Sequence, residues 1–207
     1  MEYKIRGTRV TSPYPVQLTP AEHRIVFTLQ RLFTPENIFA DYYLPSASQH
    51  STDLLQIDCL AVGEQGIFVI ESKDYTGWIF GSGNQRYWTQ LRNDIHEKRQ
   101  FYNPIKQNAS HINALRSSLS HQTPIYSIIV FGPHATLRRV SGVPPDCHIC
   151  LQPHLLYTLK NIPASRPLSP SEIGHIRDSL QQSRIMPNTV TRNVHNEEIS
   201  DLFSAKN

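Results

Sequence analysis

Three charged residues, Asp58, Glu71 and Lys73, have types and a spacing that suit phosphoryl chemistry. Residues 67–73 (Ile-Phe-Val-Ile-Glu-Ser-Lys) are an apolar run ending in charge, and residues 54–62 form a second apolar run before a glycine-bounded turn. Two such runs around a turn predict a β-hairpin. Side chains alternate along a strand, so Glu71 and Lys73 share a face, and the hairpin register sets Asp58 opposite Glu71.

Two opposed carboxylates beside a lysine pack poorly, because like charges directly opposite each other are destabilising. The same groups suit a divalent cation, since Mg²⁺ takes one or two carboxylates and keeps sites for water and substrate phosphates. Such an ion stabilises a leaving oxygen and lowers the pKa of an attacking water. Lys73 would hold a phosphate or assist deprotonation of the water. The alternative is that these charges only protect an edge strand from aggregation, and a register slip of one residue would turn Asp58 away.

Four motifs of the chain resemble the NERD (nuclease-related) domain. They are residues 56–62 (Gln-Ile-Asp-Cys-Leu-Ala-Val), 66–73 (Gly-Ile-Phe-Val-Ile-Glu-Ser-Lys), 77–81 with Trp88, and 102–108 with His111 and Ile112. They lie in the family's order over about residues 19–131, and the family is similar to the PD-(D/E)xK restriction-endonuclease and Holliday-junction-resolvase superfamily. Two departures, Ile57 for proline and Cys59 for a frequent histidine, affect no expected ligand.

The resemblance implies an α/β fold, with a restriction-endonuclease-like core in which helices flank a central mixed β-sheet, and metal-dependent cleavage of phosphodiester bonds. It makes Asp58 and Glu71 ligands of Mg²⁺ or Mn²⁺ and Lys73 the third catalytic residue. Gln107 corresponds to the glutamine of the following helix, and Glu22 to the acidic residue of the first. Because the superfamily has members that bind without cutting, a non-catalytic nucleic-acid-binding module and a protein-interaction scaffold stay open as alternatives.

The segment carrying Gln107 predicts a helix that begins at Asn103, an N-cap followed by proline, and ends near residue 119. Its buried stripe is expected to consist of Ile105, Ala109, Ile112, Leu115 and Leu119. Gln107 and His111 are four residues apart and share a different face. Gln107 would orient the attacking water or a phosphate if this face meets the sheet, and His111 is interpreted as structural.

The sequence allows two interpretations of the role of Glu22. Residues 19–22 (Thr-Pro-Ala-Glu) form a capping box that predicts a helix over 20–33, in which the glutamate bonds the N-cap backbone. A contribution to the metal site is compatible with that role. A first strand is expected over 38–44, a buried strand over 124–131 that makes a crossover connection, and a second capping box opening a helix that ends near residue 183.

Arginine next to aromatic residues suggests contacts with nucleic acid by stacking and phosphate binding. Arg86 and Trp88, in a second predicted hairpin, and Lys106 are the candidates, whereas Trp78 is expected to close the edge of the core. Residues 91–102 are polar and basic, and we expect them to become ordered only around substrate.

Cys147 and Cys150 bracket a histidine and raise the question of zinc. A structural zinc site needs four ligands, and the chain has no second pair of closely spaced cysteines. Two reduced cysteines in a short strand are therefore expected.

Composition is that of a globular protein, with 39% hydrophobic and 18% charged residues in 207. The net charge of +3 fits a polyanionic partner, DNA or else RNA. Lack of a long apolar segment predicts no membrane partner, and three cysteines without a signal-like N-terminus predict a cytoplasmic protein. We expect an extended arm (1–18), a nuclease-like core (19–135) and a proline-rich extension (136–207). A helicase or another DNA-processing partner in trans and a homodimer remain open.

Overall fold

The computed structural model describes residues 4–5, 8–9, 18–45, 54–92, 97–117, 119 and 123–185. Its strands are β1 Lys4–Ile5, β2 Thr8–Arg9, β3 Ile38–Pro45, β4 Leu54–Gly63, β5 Gly66–Lys73, β6 Gly77–Ser82, β7 Tyr87–Arg92, β8 Glu97–Tyr102, β9 Ile125–Phe131, β10 Ala135–Ser141 and β11 Cys147–Leu151. Its α-helices are α1 Pro20–Leu29, α2 Pro104–Arg116, α3 Leu155–Lys160 and α4 Pro170–Ser183. Short 3₁₀ turns lie at Pro35–Asn37 and Gln152–His154.

The central sheet has the order β11-β9-β5-β4-β3. Strands β5, β9 and β11 are parallel, while β4 pairs antiparallel with β3 and β5, so the sheet is mixed. Strand β5 lies in the middle and is buried on both faces until its last two residues, which explains its nearly continuous apolar sequence.

Helices cover both faces of this sheet. Side chains of α2 and α4 pack with Ile67 and Val69 on one face, whereas those of α1 and α3 pack with Phe68 and Ile70 on the other. Because side chains alternate along β5, they contribute to two separate hydrophobic cores, one on each face of the sheet. This arrangement confirms the expected α/β class with a central mixed sheet and flanking helices, and it is consistent with a restriction-endonuclease-like fold.

A second sheet has the order β10-β6-β7-β8 and continues from the carboxyl ends of β5 and β9. Its inner face packs Trp88 against Phe131, with Phe101 alongside. The expectation that residues 91–102 stay irregular without substrate was wrong for the part described. Strand β8 is paired with β7 from Tyr87↔Tyr102 to Arg92↔Glu97, because backbone bonding and burial of Phe101 hold it in place.

The predicted helices form, and α1 and α2 end earlier than expected. Helix α1 has the full capping box but stops at Leu29, after which the backbone continues in 3₁₀-type turn bonds such as Leu32 N–H to Leu29 O. Helix α2 ends at Arg116, and α4 ends at Ser183 as expected. The strand expected over 38–44 is β3, and the one expected over 124–131 is β9, parallel to β5 as a crossover connection requires.

Parts of the expected arm and tail lie outside the described residues. Within the arm, β1 pairs antiparallel with β2, and residues 1–3, 6–7, 10–17 and 186–207 fall outside the description. The expected extension contributes β11 to the central sheet and most of β10 to the second sheet. None of the helices in the described ranges is long and apolar enough to cross a membrane.

Candidate active site

The hairpin of β4 and β5 brings Asp58 and Glu71 to one end of the central sheet. Pairing follows the predicted register and ends at Cys59↔Ile70, one residue before the two carboxylates. The backbone N–H of Ser72 donates to Asp58 Oδ2 at 2.7 Å, which ties the carboxylate to the neighbouring strand. The register therefore sets the two acidic side chains level with each other where the ladder opens.

Lys73 lies between Glu71 and Gln107. Its Nζ is 2.7 Å from Glu71 Oε1 and donates to Gln107 Oε1 at 3.0 Å. The Glu71 side chain is 2% exposed and that of Lys73 16% exposed, so this ion pair is largely shielded from water. The face of α2 that carries Gln107 thus meets the sheet, which is the condition under which the sequence assigned this glutamine an orienting role.

Asn103 fixes where α2 begins. Its Oδ1 accepts the N–H of Ile105, and its Nδ2 donates to the carbonyls of Ser82, Gly83 and Gln85. The side chain is fully buried. One residue therefore caps the helix and anchors it to the turn between β6 and β7, which sets the height of Gln107 above β5.

Asn108 fixes the helix against the sheet. It is fully buried, and its Nδ2 donates to the carbonyl of Val69 on β5 at 2.8 Å and to Ser127 Oγ on β9 at 2.9 Å. The expected buried stripe included Ala109, which is exposed instead. The buried residues include Ile105, Asn108, His111 and Leu115, which have the spacing of one helix face. This face could have been predicted from the sequence if polar residues had been considered for the buried stripe.

We expect Asn108→Ala to lower the free energy of unfolding by about 2 kcal/mol, because it leaves buried polar partners on β5 and β9 without their hydrogen bonds. The measurement is urea unfolding. Asn113→Ala, which truncates an exposed asparagine of the same helix, is the matched control and should change stability by less than about 0.5 kcal/mol. Equal losses in the two variants would contradict this role of Asn108.

His111 lies next to Glu71 as well. Its Nδ1 is 3.6 Å from Glu71 Oε2, and both side chains are at most 5% exposed. The sequence interpretation gave His111 a structural role, and its burial agrees with that. It also contacts Glu71, one of the two carboxylates that the sequence predicts to bind a metal.

The pKa of Asp58 lies well above its usual range. Burial is the main cause, and the nearby charges of Glu71 and Glu22 add to it, while the Ser72 N–H opposes them. For Lys73, burial lowers the pKa, but the charge of Glu71 and the hydrogen bond to it outweigh burial and raise the pKa overall. The site therefore holds a charged lysine, and a bound cation would favour the ionised form of Asp58, which burial and the neighbouring carboxylates disfavour.

Glu22 is held in the capping box. Thr19 N–H donates to Glu22 Oε2 at 2.7 Å, and Glu22 N–H donates to Thr19 Oγ1. Burial is the main cause that raises the pKa of Glu22, and the carboxylate is close enough to Asp58 to raise the pKa of that group too. The capping role is confirmed, and the contribution to a metal site stays a prediction.

Asp41 is an acidic residue that the sequence reasoning missed. Pairing of β3 with β4 runs on both sides of it, so Asp41 lies level with Asp58 on the neighbouring strand. It is 5% exposed, accepts a hydrogen bond from Gln56 Nε2 at 2.9 Å, and has a φ of 51°. Aspartate tolerates this left-handed conformation better than most residues. An aspartate in the middle of a predicted strand carries no signal of such a backbone.

The donor set at this end of the sheet fits a hard cation. Glu71 Oε2 is buried and accepts no hydrogen bond from the described residues, and Asp58 supplies a second carboxylate. In the described part of the chain, no group of three or more histidine, cysteine or acidic side chains is arranged to hold a metal. Two carboxylates with remaining positions for water and phosphate are what Mg²⁺ accepts.

The residues expected to contact nucleic acid separate in the structure. Arg86 stacks over the exposed ring of Tyr87, with Cζ 5.4 Å from the ring centroid, and Lys106 is half-buried next to Gln107 on α2. Trp88 is 1% exposed and donates its Nε1–H to the Ser82 carbonyl, so it packs in the core.

Trp78 takes the surface position that the sequence interpretation gave to Trp88. It is 36% exposed, with Arg138 Cζ 4.8 Å from its ring centroid. The expectation that Trp78 closes the core was wrong, because Trp78 and Trp88 fall on opposite faces of the second sheet.

Cys147 and Cys150 are free and lie in strand β11, as expected. They belong to two different hydrophobic cores on opposite sides of the sheet. Two side chains that point apart cannot serve one tetrahedral ion, so this pair does not form half of a zinc site.

Comparison with known proteins points in one direction. The family model of the nuclease-related domain matches residues 18–132, more than half of the chain. An uncharacterised protein of Bacillus anthracis is 31% identical over 140 residues, which cover 68% of this chain and 65% of that protein. The chain thus spans slightly less than two thirds of that relative's length. No solved structure is significantly similar.

Proposed function

Since the chain belongs to the nuclease-related domain family, we propose that it is a metal-dependent nuclease that hydrolyses phosphodiester bonds in DNA. One observation carries this proposal. Asp58 and Glu71 are brought level at the open end of β4 and β5, with Lys73 Nζ 2.7 Å from Glu71 and 3.0 Å from Gln107. A purely structural role would not require two buried carboxylates to lie side by side, where their like charges repel each other.

Asp58 and Glu71 would hold Mg²⁺ or Mn²⁺. Such an ion lowers the pKa of a bound water and stabilises charge on the leaving oxygen. Asp58 is kept in place by the Ser72 N–H, and Glu71 by Lys73, so both carboxylates are oriented before substrate arrives. Preorganised groups of this kind need no rearrangement during the reaction.

Lys73 would stabilise the negative charge that develops on the phosphate. Its raised pKa keeps it charged at neutral pH, as this role requires. Gln107, bonded to Lys73, would orient the ammonium group or the attacking water, and Glu22 would complete the metal shell through water. Arg86 and Lys106 are proposed contacts to the phosphate backbone.

The test is cleavage of supercoiled and branched DNA by the wild type and by Glu71→Ala, each with Mg²⁺, Mn²⁺ or EDTA. We expect cutting with either metal, none in EDTA, and loss of cutting in the variant. Equal cutting by both proteins would mean that the site is elsewhere or that the activity is a contaminant.

If both proteins leave DNA intact with every metal, the same assay is repeated with RNA, which the site chemistry does not distinguish from DNA. Failure on both substrates would overturn the catalytic proposal. Addition of a helicase that supplies unwound DNA tests for a partner in trans, and sedimentation of the free protein tests for a homodimer.

A further inference from the structure

The outer face of the second sheet is unusually aromatic for a solvent-facing surface. Side chains alternate along its strands, and Ile79, Trp88 and Phe101 fill the inner face. The outer face, called here the open face, carries Trp78, Phe80, Tyr87, Tyr102, Lys98 and Arg139. Three of the five exposed large apolar side chains of the described residues, Trp78, Tyr87 and Tyr102, lie on it.

The rings form two groups on this face. The centroids of Trp78 and Phe80 are 6.5 Å apart, and those of Tyr87 and Tyr102 are 6.3 Å apart. Trp78 and Ser82 lie near opposite ends of β6, four residue steps or roughly 13 Å apart. The register of β6 with β7, continued by two residues, sets Tyr87 level with Ser82. The two groups therefore offer stacking surfaces at both ends of the sheet rather than at one point.

Positive charge accompanies the rings. Arg138 Cζ lies 4.8 Å from the Trp78 ring centroid and Arg86 Cζ lies 5.4 Å from that of Tyr87. Lys98 and Arg139 add two exposed cations, one on each edge strand of this sheet, β8 and β10. The carboxylate of this sheet nearest to them, Glu97, is paired with Arg92 at 3.6 Å and Arg99 at 3.8 Å. The open face is thus complementary to a polyanion.

Two short loops connect the second sheet to the strands of the candidate active site. Strand β6 starts four residues after Lys73, and β10 starts four residues after Phe131, the pairing partner of Lys73. The loops between them are bonded to each other, since Gly77 N–H donates to His134 O and Gly132 N–H donates to Lys73 O. The sheet that carries the open face is therefore joined to the strands of the candidate active site by two short loops bonded to each other.

We infer that the open face binds single-stranded nucleic acid, an unpaired segment of the substrate that we propose for Asp58 and Glu71. Unpaired bases present flat surfaces that stack on Trp78, Tyr87 and Tyr102, while their phosphates meet the arginines and Lys98. A duplex keeps its bases stacked on one another and offers these rings nothing comparable. This inference rests on the proposed function, which supplies the class of substrate. It adds that the open face prefers single-stranded to double-stranded nucleic acid.

The test measures binding alone, in EDTA, by fluorescence anisotropy of a short labelled single strand and of the duplex of the same sequence. We expect the single strand to bind more tightly. Trp78→Ala and Tyr87→Ala should each weaken its binding by roughly tenfold, the usual effect of removing one stacking platform. Phe27→Ala and Tyr157→Ala remove aromatics that are more exposed, on α1 and α3, and should bind like the wild type.

Tryptophan fluorescence supplies a second measurement. A base stacked on Trp78 quenches its emission, whereas the buried Trp88 stays insulated. Trp78→Phe should therefore keep most of the affinity and lose the quench. An undiminished quench in this variant would show that the strand binds elsewhere.

Three outcomes overturn the inference. The first is that the open-face variants bind the single strand as tightly as the two controls. The second is that the duplex binds equally well and responds to the same substitutions. The third is that, without oligonucleotide, the wild type sediments as a dimer and Trp78→Ala as a monomer, which would make the face a contact between copies of this chain.

Failure of this inference and failure of the proposed function are distinguishable. If DNA is cut but open-face variants bind normally, only the binding surface is wrong. If no cutting occurs and Trp78→Ala still loses single-strand binding, the surface stands and catalysis fails.

Discussion

We expect Asp58→Asn to be more stable than the wild type at neutral pH and to lack the proposed cleavage of DNA. The substitution removes one of two carboxylates that lie level at the end of the hairpin, while the new amide oxygen still accepts the Ser72 N–H. Relief of like charges should raise the free energy of unfolding by about 1 kcal/mol. Loss of a metal ligand should lower the cleavage rate at least about 10³-fold, since several kcal/mol of charge stabilisation depend on the ion.

The pH dependence of stability follows from the same residue. The pKa of Asp58 is raised in the folded state, so the folded protein binds this proton more tightly than the unfolded chain. Its contribution to stability is complete below the unfolded pKa near 4 and is lost as pH rises through the higher folded pKa. Urea unfolding over that range should show a decline in the wild type that Asp58→Asn lacks.

Two comparisons make this result interpretable. Asp178→Asn alters an exposed carboxylate of α4 and should leave both stability and cleavage unchanged. Addition of Mg²⁺ or Mn²⁺ should restore stability to the wild type at neutral pH and have little effect on Asp58→Asn, because a ligand stabilises the state it binds. A destabilised Asp58→Asn would mean that the carboxylate has a favourable structural role that the account lacks.

Lys73→Met should lower both stability and cleavage. Glu71 is 2% exposed, and its Oε1 would lose the ammonium group 2.7 Å away. Removing one partner of a buried ion pair leaves the other charge uncompensated and typically costs about 3 kcal/mol or more. Loss of the positive charge at the phosphate should lower the cleavage rate by roughly 10²- to 10³-fold.

The two effects of Lys73 are separable. The double variant Lys73→Met/Glu71→Gln replaces both charges and should recover much of the lost stability without recovering activity. Lys160→Met, an exposed lysine of α3, controls for the loss of one positive charge and should match the wild type. Normal cleavage by Lys73→Met, measured where it is folded, would remove this lysine from the mechanism.

The hairpin register could be predicted from sequence because two long apolar runs share one short turn. Only the pairing that places Leu60 next to Val69 keeps both runs in the core, and that pairing sets Asp58 level with Glu71. The start of α1 was equally predictable, since its capping box bonds locally and needs no tertiary partner. The parallel crossover from β5 to β9 followed from strands separated by a helix, whereas the central mixed sheet was implied by the family resemblance.

Other features depend on contacts that a linear pattern does not contain. Trp78 and Trp88 both lie in short strands next to turns, and their burial was decided by which face of the second sheet packs on Phe131. Asn108 was missed because a polar residue in a buried stripe is favourable only when partners such as Val69 O lie within reach. The pairing that orders β8 is likewise contributed by β7.

We propose that Asp58 and Glu71 hold one divalent cation. A titration with Mn²⁺, followed by the loss of the free-ion electron paramagnetic resonance signal, measures this directly for the wild type, Glu71→Gln, Asp58→Asn and Asp178→Asn. We expect one site per chain in the wild type and in Asp178→Asn, with Mn²⁺ affinity lowered at least about tenfold in the other two. Equal stoichiometry and affinity in all four proteins would contradict it.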